Sequence, residues 1–128
     1  MILDTSAIVA ILFNEPERDA LLEAISSSAS PAISAASVME ASIVLIRQFG
    51  PTGQAALTNL LSELGVNVIS FDMDQALMAM EGFDRFGKGR HPAKLNLGDC
   101  FVYGLAKSKN LPILCKGNDF SQTDASTV

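Results

Sequence analysis

The sequence predicts an α/β fold: a central parallel sheet with helices on both faces, formed by residues 1–128 as a single domain. Three observations predict it. Four short apolar runs lie along the chain, at Met1–Leu3, Pro31–Ile33, Val66–Phe71 and Ile113–Cys115. Each is separated from the next by stretches with helical periodicity, the pattern of strands joined by helical crossovers. Hydrophobic residues make up 48% of the chain and charged residues 18%, the opposite of the balance that keeps a chain disordered.

The elements follow in order. Met1–Leu3 is too brief to be a helix. Thr5 or Ser6 can cap the apolar stretch Ala7–Phe13. Asn14-Glu15-Pro16 breaks that stretch, and Pro16 suits the first turn of a second helix through about Ser26. Ser26–Ser30 is small and polar and reads as a loop, and Pro31–Ile33 as a strand. Ser34–Gln48 is a helix that is apolar nearly all round, ended by Gly50-Pro51. Thr52–Leu64 carries Leu57, Leu60, Leu61 and Leu64 on one stripe. Val66–Phe71 reads as a buried strand and Met73–Phe86 as a helix. Gly87–Asn96 is a basic loop with two glycines and Pro92. Leu97–Lys109 is a helix stopped by Asn110-Leu111-Pro112, and Ile113–Cys115 is the last strand.

Composition also sets the expected setting, which is cytoplasmic. Cys100 and Cys115 sit inside apolar stretches, as in a reduced intracellular protein. The start Met-Ile-Leu-Asp carries no basic leader. No apolar run approaches the roughly 18 residues of a membrane span, so no membrane partner is expected.

Charge is uneven. Residues 1–84 hold eleven acids and two bases, a net −9, whereas residues 85–116 hold seven bases and one acid, a net +6. Arg85, Lys88, Arg90, His91 and Lys94 fall within ten residues. Such a segment attracts phosphates over a Debye length of roughly 8–10 Å, although a solvated loop has the same composition.

In parallel sheets the functional crevice lies beyond the carboxyl ends of the strands. Asp4 follows the first strand, where it either caps the next helix or acts in the crevice. Glu40 has Ala36, Ser37, Ile43 and Val44 as its helical neighbours, so burial is expected, and buried carboxylates are almost never unpaired. Asp99 opens a helix that is apolar on every side, where it can serve the helix dipole or point into the crevice. Asp119 follows the last strand and has an ordinary turn role as its alternative. Asp124 is similar but closer to the end.

Clustered carboxylates repel, and one takes up a proton unless a cation is present. Mg²⁺ or Mn²⁺ suits an all-oxygen set. The reaction class suggested is metal-assisted phosphodiester hydrolysis, with the basic segment on the nucleic-acid backbone. A thiolate metal site would need more Cys and His than two and one. Cys100 is read as core and His91 as a phosphate contact.

At these residues the chain resembles the PIN-domain ribonucleases. The segments are Met-Ile-Leu-Asp-Thr-Ser-Ala, Val-Met-Glu-Ala, Leu-Asn-Leu-Gly-Asp-Cys-Phe-Val-Tyr-Gly-Leu-Ala-Lys and Leu-Cys-Lys-Gly-Asn-Asp-Phe. Their order and spacing are similar to those of the VapC toxins of bacterial type II toxin–antitoxin pairs. So is Arg-Phe-Gly-Lys-Gly-Arg-His-Pro-Ala-Lys before the third motif. The resemblance runs from residue 1 to about residue 124. It implies a three-layer α/β/α sandwich with Mg²⁺ or Mn²⁺ at the sheet edge. It further implies Asp4, Glu40 and Asp99 as core acids, with Asp4 and Asp99 the direct metal ligands. Glu40 would orient or activate the attacking water, directly or through the metal, and Thr5 or Ser6 would support the shell. Many PIN domains carry an acid two residues before the Asp-Phe pair, where this chain has Gly117, so the fourth acid falls at Asp119, with Asp124 as substitute.

The resemblance also implies an RNA substrate (a transfer or ribosomal RNA), a homodimer and a cognate VapB-type antitoxin that lays a peptide, often with an arginine, across the acids. Ile8, Ile11, Leu12, Phe13 and Val38–Ile46 either form an apolar groove for it or belong to the core. Three alternatives compete. A PIN domain without activity would bind RNA or a partner without cutting. A receiver domain would use Asp72 as phosphoacceptor and Lys116 as partner, but it lacks a second acid beside Asp4. A haloacid-dehalogenase-type phosphatase would need an acid at Ser6.

Overall fold

A computed structural model describes residues 1–128. Its elements are β1 (Ile2–Leu3), α1 (Thr5–Leu12), α2 (Arg18–Ser26), β2 (Ala32–Ser34), α3 (Ala35–Phe49), α4 (Thr52–Glu63), β3 (Asn67–Ile69), α5 (Met73–Phe86), α6 (Leu97–Lys109) and β4 (Ile113–Leu114), followed by a 3-10 turn at Phe120–Gln122. The strands form one sheet in the order β3-β2-β1-β4, every pair parallel. The tail adds a rung beyond β4, where Ile113 N–H donates to Ser126 O at 2.8 Å and Val128 N–H to Ile113 O at 2.9 Å.

The alternation of side chains along a strand builds the three layers. Ile2, Ala32 and Ile113 point to one face and pack with Val102, Tyr103, Leu105 and Ala106 of α6, Ala79 and Phe86 of α5, and Phe120. Leu3, Ile33 and Leu114 point to the other and pack with Ala7, Ile8 and Ile11 of α1, Leu21 and Ile25 of α2, and Ala41, Leu45, Leu57 and Leu61 of α3 and α4. The expected sandwich is therefore present. No helix is long and apolar enough to cross a membrane.

Glycine brings α5 and α6 together. A Cβ at Gly82 would come within 2.6 Å of Cε1 of Tyr103, and one at Gly104 would overlap the Gln75 carbonyl oxygen. Close backbone approach is what these residues supply. In the same way α1 ends where Asn14 takes φ +55°, and α6 ends at Asn110 with φ +52° and ψ +49°, a left-handed conformation that asparagine tolerates.

The structure corrects four expectations. Asp4, not Thr5 or Ser6, caps α1, with extended backbone and its side chain accepting from Ser6 N–H at 3.0 Å. The second helix begins at Arg18, and Pro16 lies in the turn before it. The strand expected at Val66–Phe71 is confined to Asn67–Ile69 and is an exposed edge, with Val68 52% accessible. An apolar run does not tell a central strand from an edge, and here β2 covers one side only. Finally, α3 is not enclosed on all sides. Met39, Ile43, Ile46 and Phe49 stand exposed along one face, so Glu40 is half-buried rather than buried.

Candidate active site

The crevice is at the carboxyl ends of β1 and β4, and four segments deliver acids to it. Asp4 is one residue past β1. Its backbone N–H donates to Leu114 O at 2.9 Å, which ties it to the last rung of β4. The residue is 7% accessible, and Oδ2 accepts from both the backbone and the hydroxyl of Ser6. The Ser6 hydroxyl accepts in turn from Lys116 N–H at 2.9 Å. That second bond occupies an acceptor site of the hydroxyl and leaves its proton for Asp4. Thr5 is engaged elsewhere, donating to Ser37 O across α3 at 3.4 Å. Of the two hydroxyls expected to support the shell, the structure therefore turns Ser6 toward Asp4.

Asp99 opens α6 within a capping box. Asn96 N–H donates to Asp99 Oδ2 and Asp99 N–H to Asn96 Oδ1, both at 2.9 Å. The box fixes the carboxylate's direction and leaves Oδ1 without a protein donor. Glu40 reaches the same place from α3, its carboxylate lying against Gly98, the residue before Asp99. Asp119 stands exposed at the start of the 3-10 turn, beyond β4.

These groups act on one another through their charge. Burial raises the pKa of Asp99 to about 6, against the Asn96 hydrogen bond, and the charges of Asp4, Asp119 and Glu40 push the same way. Burial also raises Asp4, with Ser6 opposing and Glu40 adding to it. Cys115, half-buried after β4, is pushed to about 11 by burial and by Asp4, Asp119 and Asp99. Its presence at the cluster follows from the strand order and was not part of the sequence expectation. No three acids converge closely enough to form a ready cage for an ion. Mg²⁺ asks for no such cage, since it uses one or two carboxylates and retains waters. The donors are all carboxylate oxygens whose charges oppose one another, and that chemistry fits a hard divalent cation.

Asp124, the substitute fourth acid, is placed elsewhere. It accepts from Tyr103 Oη at 2.8 Å, from Lys107 Nζ at 3.1 Å and from Arg85 at 3.2 Å. Burial works to raise its pKa, but these donors outweigh it and hold the carboxyl below its ordinary value. The receiver reading finds no geometry. Asp72 caps α5 by accepting from Gln75 N–H at 2.9 Å and follows edge strand β3, whereas Lys116 follows β4 at the other side of the sheet and pairs with Glu15 and Glu17.

The basic loop is closed by pairing of Gly87 with Leu95: Lys88 N–H donates to Leu95 O and Leu95 N–H to Phe86 O. Its cations divide into two groups. Arg85 is paired with Asp124 and Glu81 and lies 4.7 Å over the Phe86 ring. Arg90 donates twice to Asp84, each at 2.7 Å. His91 packs edge-on to Phe86 at 5.1 Å and accepts Ala93 N–H at Nδ1. Lys88 and Lys94 form no ion pair and line, with Arg90, His91 and Pro92, a hollow of about 500 Å³.

A sheet ordered 3-2-1-4 with acids from four segments at its carboxyl edge defines a class, and comparison with known proteins agrees with it. The PIN domain family matches residues 1–126. Ribonuclease VapC30 of Mycobacterium tuberculosis is 41% identical over 128 residues, covering 100% of this chain and 98% of that protein. Ribonuclease VapC of Mycolicibacterium smegmatis is 43% identical over 128 residues, covering 100% and 99%. The crystal structure of Mycobacterium tuberculosis VapC20, described as a sarcin-ricin loop cleaving toxin, superposes with a TM-score of 0.80 at 18% identity, covering 99% of this chain and 97% of that one. VapBC2 of Rickettsia felis, solved on a DNA fragment from its promoter, gives 0.76 at 19% identity, covering 98% and 94%. The chain belongs to the PIN-domain family and, within it, to the VapC ribonucleases.

Proposed function

We propose that residues 1–128 act as one PIN domain, a Mg²⁺- or Mn²⁺-dependent endoribonuclease toxin of the cytoplasm. It would hydrolyse phosphodiester bonds of a transfer or ribosomal RNA and so inhibit translation. The observation that supports this reading is that Asp4, Glu40 and Asp119 lie near enough to Asp99, at one edge of the sheet, for their charges to act on it.

Asp4 and Asp99 would hold the cation, with Glu40 completing the set. The cation, when bound, makes water more acidic and offsets charge growing on the phosphodiester. Ser6 fixes the Asp4 carboxylate, and the Asn96 capping box fixes that of Asp99. Glu40 orients the attacking water and accepts its proton. Asp119, exposed at the rim, adds the fourth carboxylate. Lys88, Lys94 and His91 hold the RNA backbone, since Arg85 and Arg90 are already paired.

The partners we propose are a VapB-type antitoxin and a second copy of the chain. Some of the solved neighbours are toxin–antitoxin complexes. Two apolar faces support two partners, because monomers rarely expose large contiguous patches. Met39, Ile43 and Ile46 form an exposed stripe to one side of Glu40 on α3, so an antitoxin helix laid along them would reach the acids. Ile8 and Ile11 are core, whereas Leu12 and Phe13 are half-buried beside α3. The second face, a groove of about 450 Å³ between α5 and α6 lined by Phe71, Met80, Phe83, Leu97 and Phe101, suits the second copy.

The test is cleavage of a total transfer-RNA pool and of ribosomes by antitoxin-free chain, with Mg²⁺, with chelator, and with Asp99→Asn. Defined fragments that require both metal and Asp99 are expected. No cleavage by the folded, metal-loaded wild-type chain would leave a binding module in place of an enzyme, and equal turnover by Asp99→Asn would overturn the site assignment.

A further inference from the structure

We propose that Gly98 is a positioning residue for Glu40: lacking a side chain on the first turn of α6, it opens the slot in which the Glu40 carboxylate lies beside Asp99. This rests on the reading of Glu40 as a member of the metal centre.

The slot is a matter of volume. A Cβ built at Gly98 would overlap Glu40 Oε2 and come within 2.6 Å of Cδ and 2.9 Å of Oε1, distances that real Cβ contacts do not show. Gly98 is itself buried and lies within α6. Its φ is not among the positive values of the chain, so nothing in the backbone conformation asks for glycine there. Glycine is also a poor helix former. The missing side chain therefore serves space rather than turning.

The nature of the obstacle separates Gly98 from its neighbours. At Gly82 and Gly104 an added methyl meets a packed Tyr103 ring or a backbone carbonyl, and the core must shift. At Gly98 the three nearest atoms all belong to the tip of a flexible side chain, that of Glu40. Glu40 is itself half-buried, and Ile43, its neighbour one turn along α3, is exposed, so its carboxylate can swing away. The consequence of Gly98→Ala thus falls on the acid cluster and spares the fold. Withdrawing the carboxylate by one carbon–carbon bond, about 1.5 Å, would relieve the overlap, and Glu40→Asp makes that change.

The experiment measures Mn²⁺ binding to the metal-free full chain by calorimetry, without RNA, beside cleavage and thermal melting. Gly98→Ala is expected to melt near the wild type and to bind Mn²⁺ 10- to 100-fold more weakly, the usual size of an indirect effect on a metal site. Gly98→Ala with Glu40→Asp is expected to bind more tightly than Gly98→Ala alone. In a Glu40→Gln background, Gly98→Ala should weaken binding no further, as expected of two residues acting through one contact. Wild-type affinity in Gly98→Ala overturns the proposal, and so does an equal loss with Glu40→Gln present. If Gly98→Ala does not fold, refolding by added Glu40→Ala supports the slot, and failure to refold overturns it. A wild-type chain that binds no Mn²⁺ removes the metal-centre reading and this inference with it. A wild-type chain that binds and cleaves isolates any failure to Gly98.

Discussion

Tyr103 donates its phenol to Asp124 at 2.8 Å, and that bond directs one of the two acids after β4 away from Asp99. Lys107 and Arg85 complete the hold on Asp124, while Asp119 remains near enough to raise Asp99. The two aspartates that looked alike in sequence therefore differ in placement. Asp119→Asn should lower cleavage at least 10-fold with an unchanged melting temperature. Asp124→Asn should keep cleavage and melt several degrees lower, because the tail loses its anchor on α5 and α6. Parallel cleavage and melting curves check this, and a reversed pattern would exchange the assignments. The latch also has a pH signature. Its carboxyl is held below the ordinary value, so its contribution is complete above about pH 4 and fades as pH falls through the folded-state pKa.

Asp99 behaves in the opposite sense. Its pKa is raised to about 6 from 3.8, so the folded state binds the proton more tightly than the unfolded chain does. Without metal, the stability this group provides at low pH is lost as pH rises from about 4 to about 6 and stays lost above. Asp99→Asn removes the charge and can retain the acceptor for Asn96 N–H. At pH 7 in chelator it should therefore be more stable, by roughly 1–2 kcal/mol after discounting for solvent screening, and melt higher, while abolishing cleavage. Mg²⁺ should raise the wild-type melting temperature and leave that of Asp99→Asn nearly unchanged. Melting scans from pH 4 to 8, with and without Mg²⁺, read both effects, and a mutant less stable than the wild type in chelator would contradict them.

Much of this site was legible from position. Asp4 and Asp119 follow strands, and the strand rule alone pointed to them. Glu40 stood out as a carboxylate among apolar helical neighbours. The side chains around them were less legible, because rotation and distant pairing decide them. Thr5 and Ser6 are adjacent and chemically alike, yet 100° of helical rotation sends one hydroxyl to Ser37 and the other to Asp4. Arg85 and Asp124 are 39 residues apart, and no local pattern links them. The exposed face of α3 was hidden for a related reason. Its outward residues are as apolar as its inward ones, so periodicity carried no direction.

Ser6 links two strand ends through one hydroxyl, accepting from Lys116 N–H and donating to Asp4. Ser6→Ala leaves the α1 cap in place, since the Ser6 backbone N–H still reaches Asp4. It removes the bond that fixes the carboxylate's direction and frees the Lys116 N–H. Loss of an orienting partner of a metal ligand usually costs 10- to 100-fold in affinity or activity. The same loss is expected here, chiefly as a raised Mg²⁺ requirement. Thr5→Val should have little effect on that requirement, because Thr5 bonds to α3. Cleavage titrated against Mg²⁺ distinguishes the two, and equal effects would remove Ser6 from the site.

The cations of the basic loop differ in their pairing. Charge alone offered Arg85, Lys88, Arg90, His91 and Lys94 as one patch. The ion pairs of Arg85 with Asp124 and of Arg90 with Asp84 leave Lys88 and Lys94 free beside the closed turn at Gly87 and Leu95. Lys94 precedes Asp99 by five residues, at most about 18 Å of chain, so a strand bound there lies within a few nucleotides of the acids. Each lysine that neutralises a phosphate adds roughly 0.7 to the slope of log affinity against log salt for a single strand. Lys88→Ala and Lys94→Ala should each flatten that slope by about this amount, with little change in melting temperature. Arg90→Ala should leave the slope nearly intact and destabilise the loop instead, since it removes two hydrogen bonds to Asp84. Binding of a catalytically silent Asp99→Asn chain to substrate RNA, measured across salt concentrations, separates these cases. If the arginines carry the slope and the lysines do not, the RNA path runs along α5 and past Asp124 rather than through the loop.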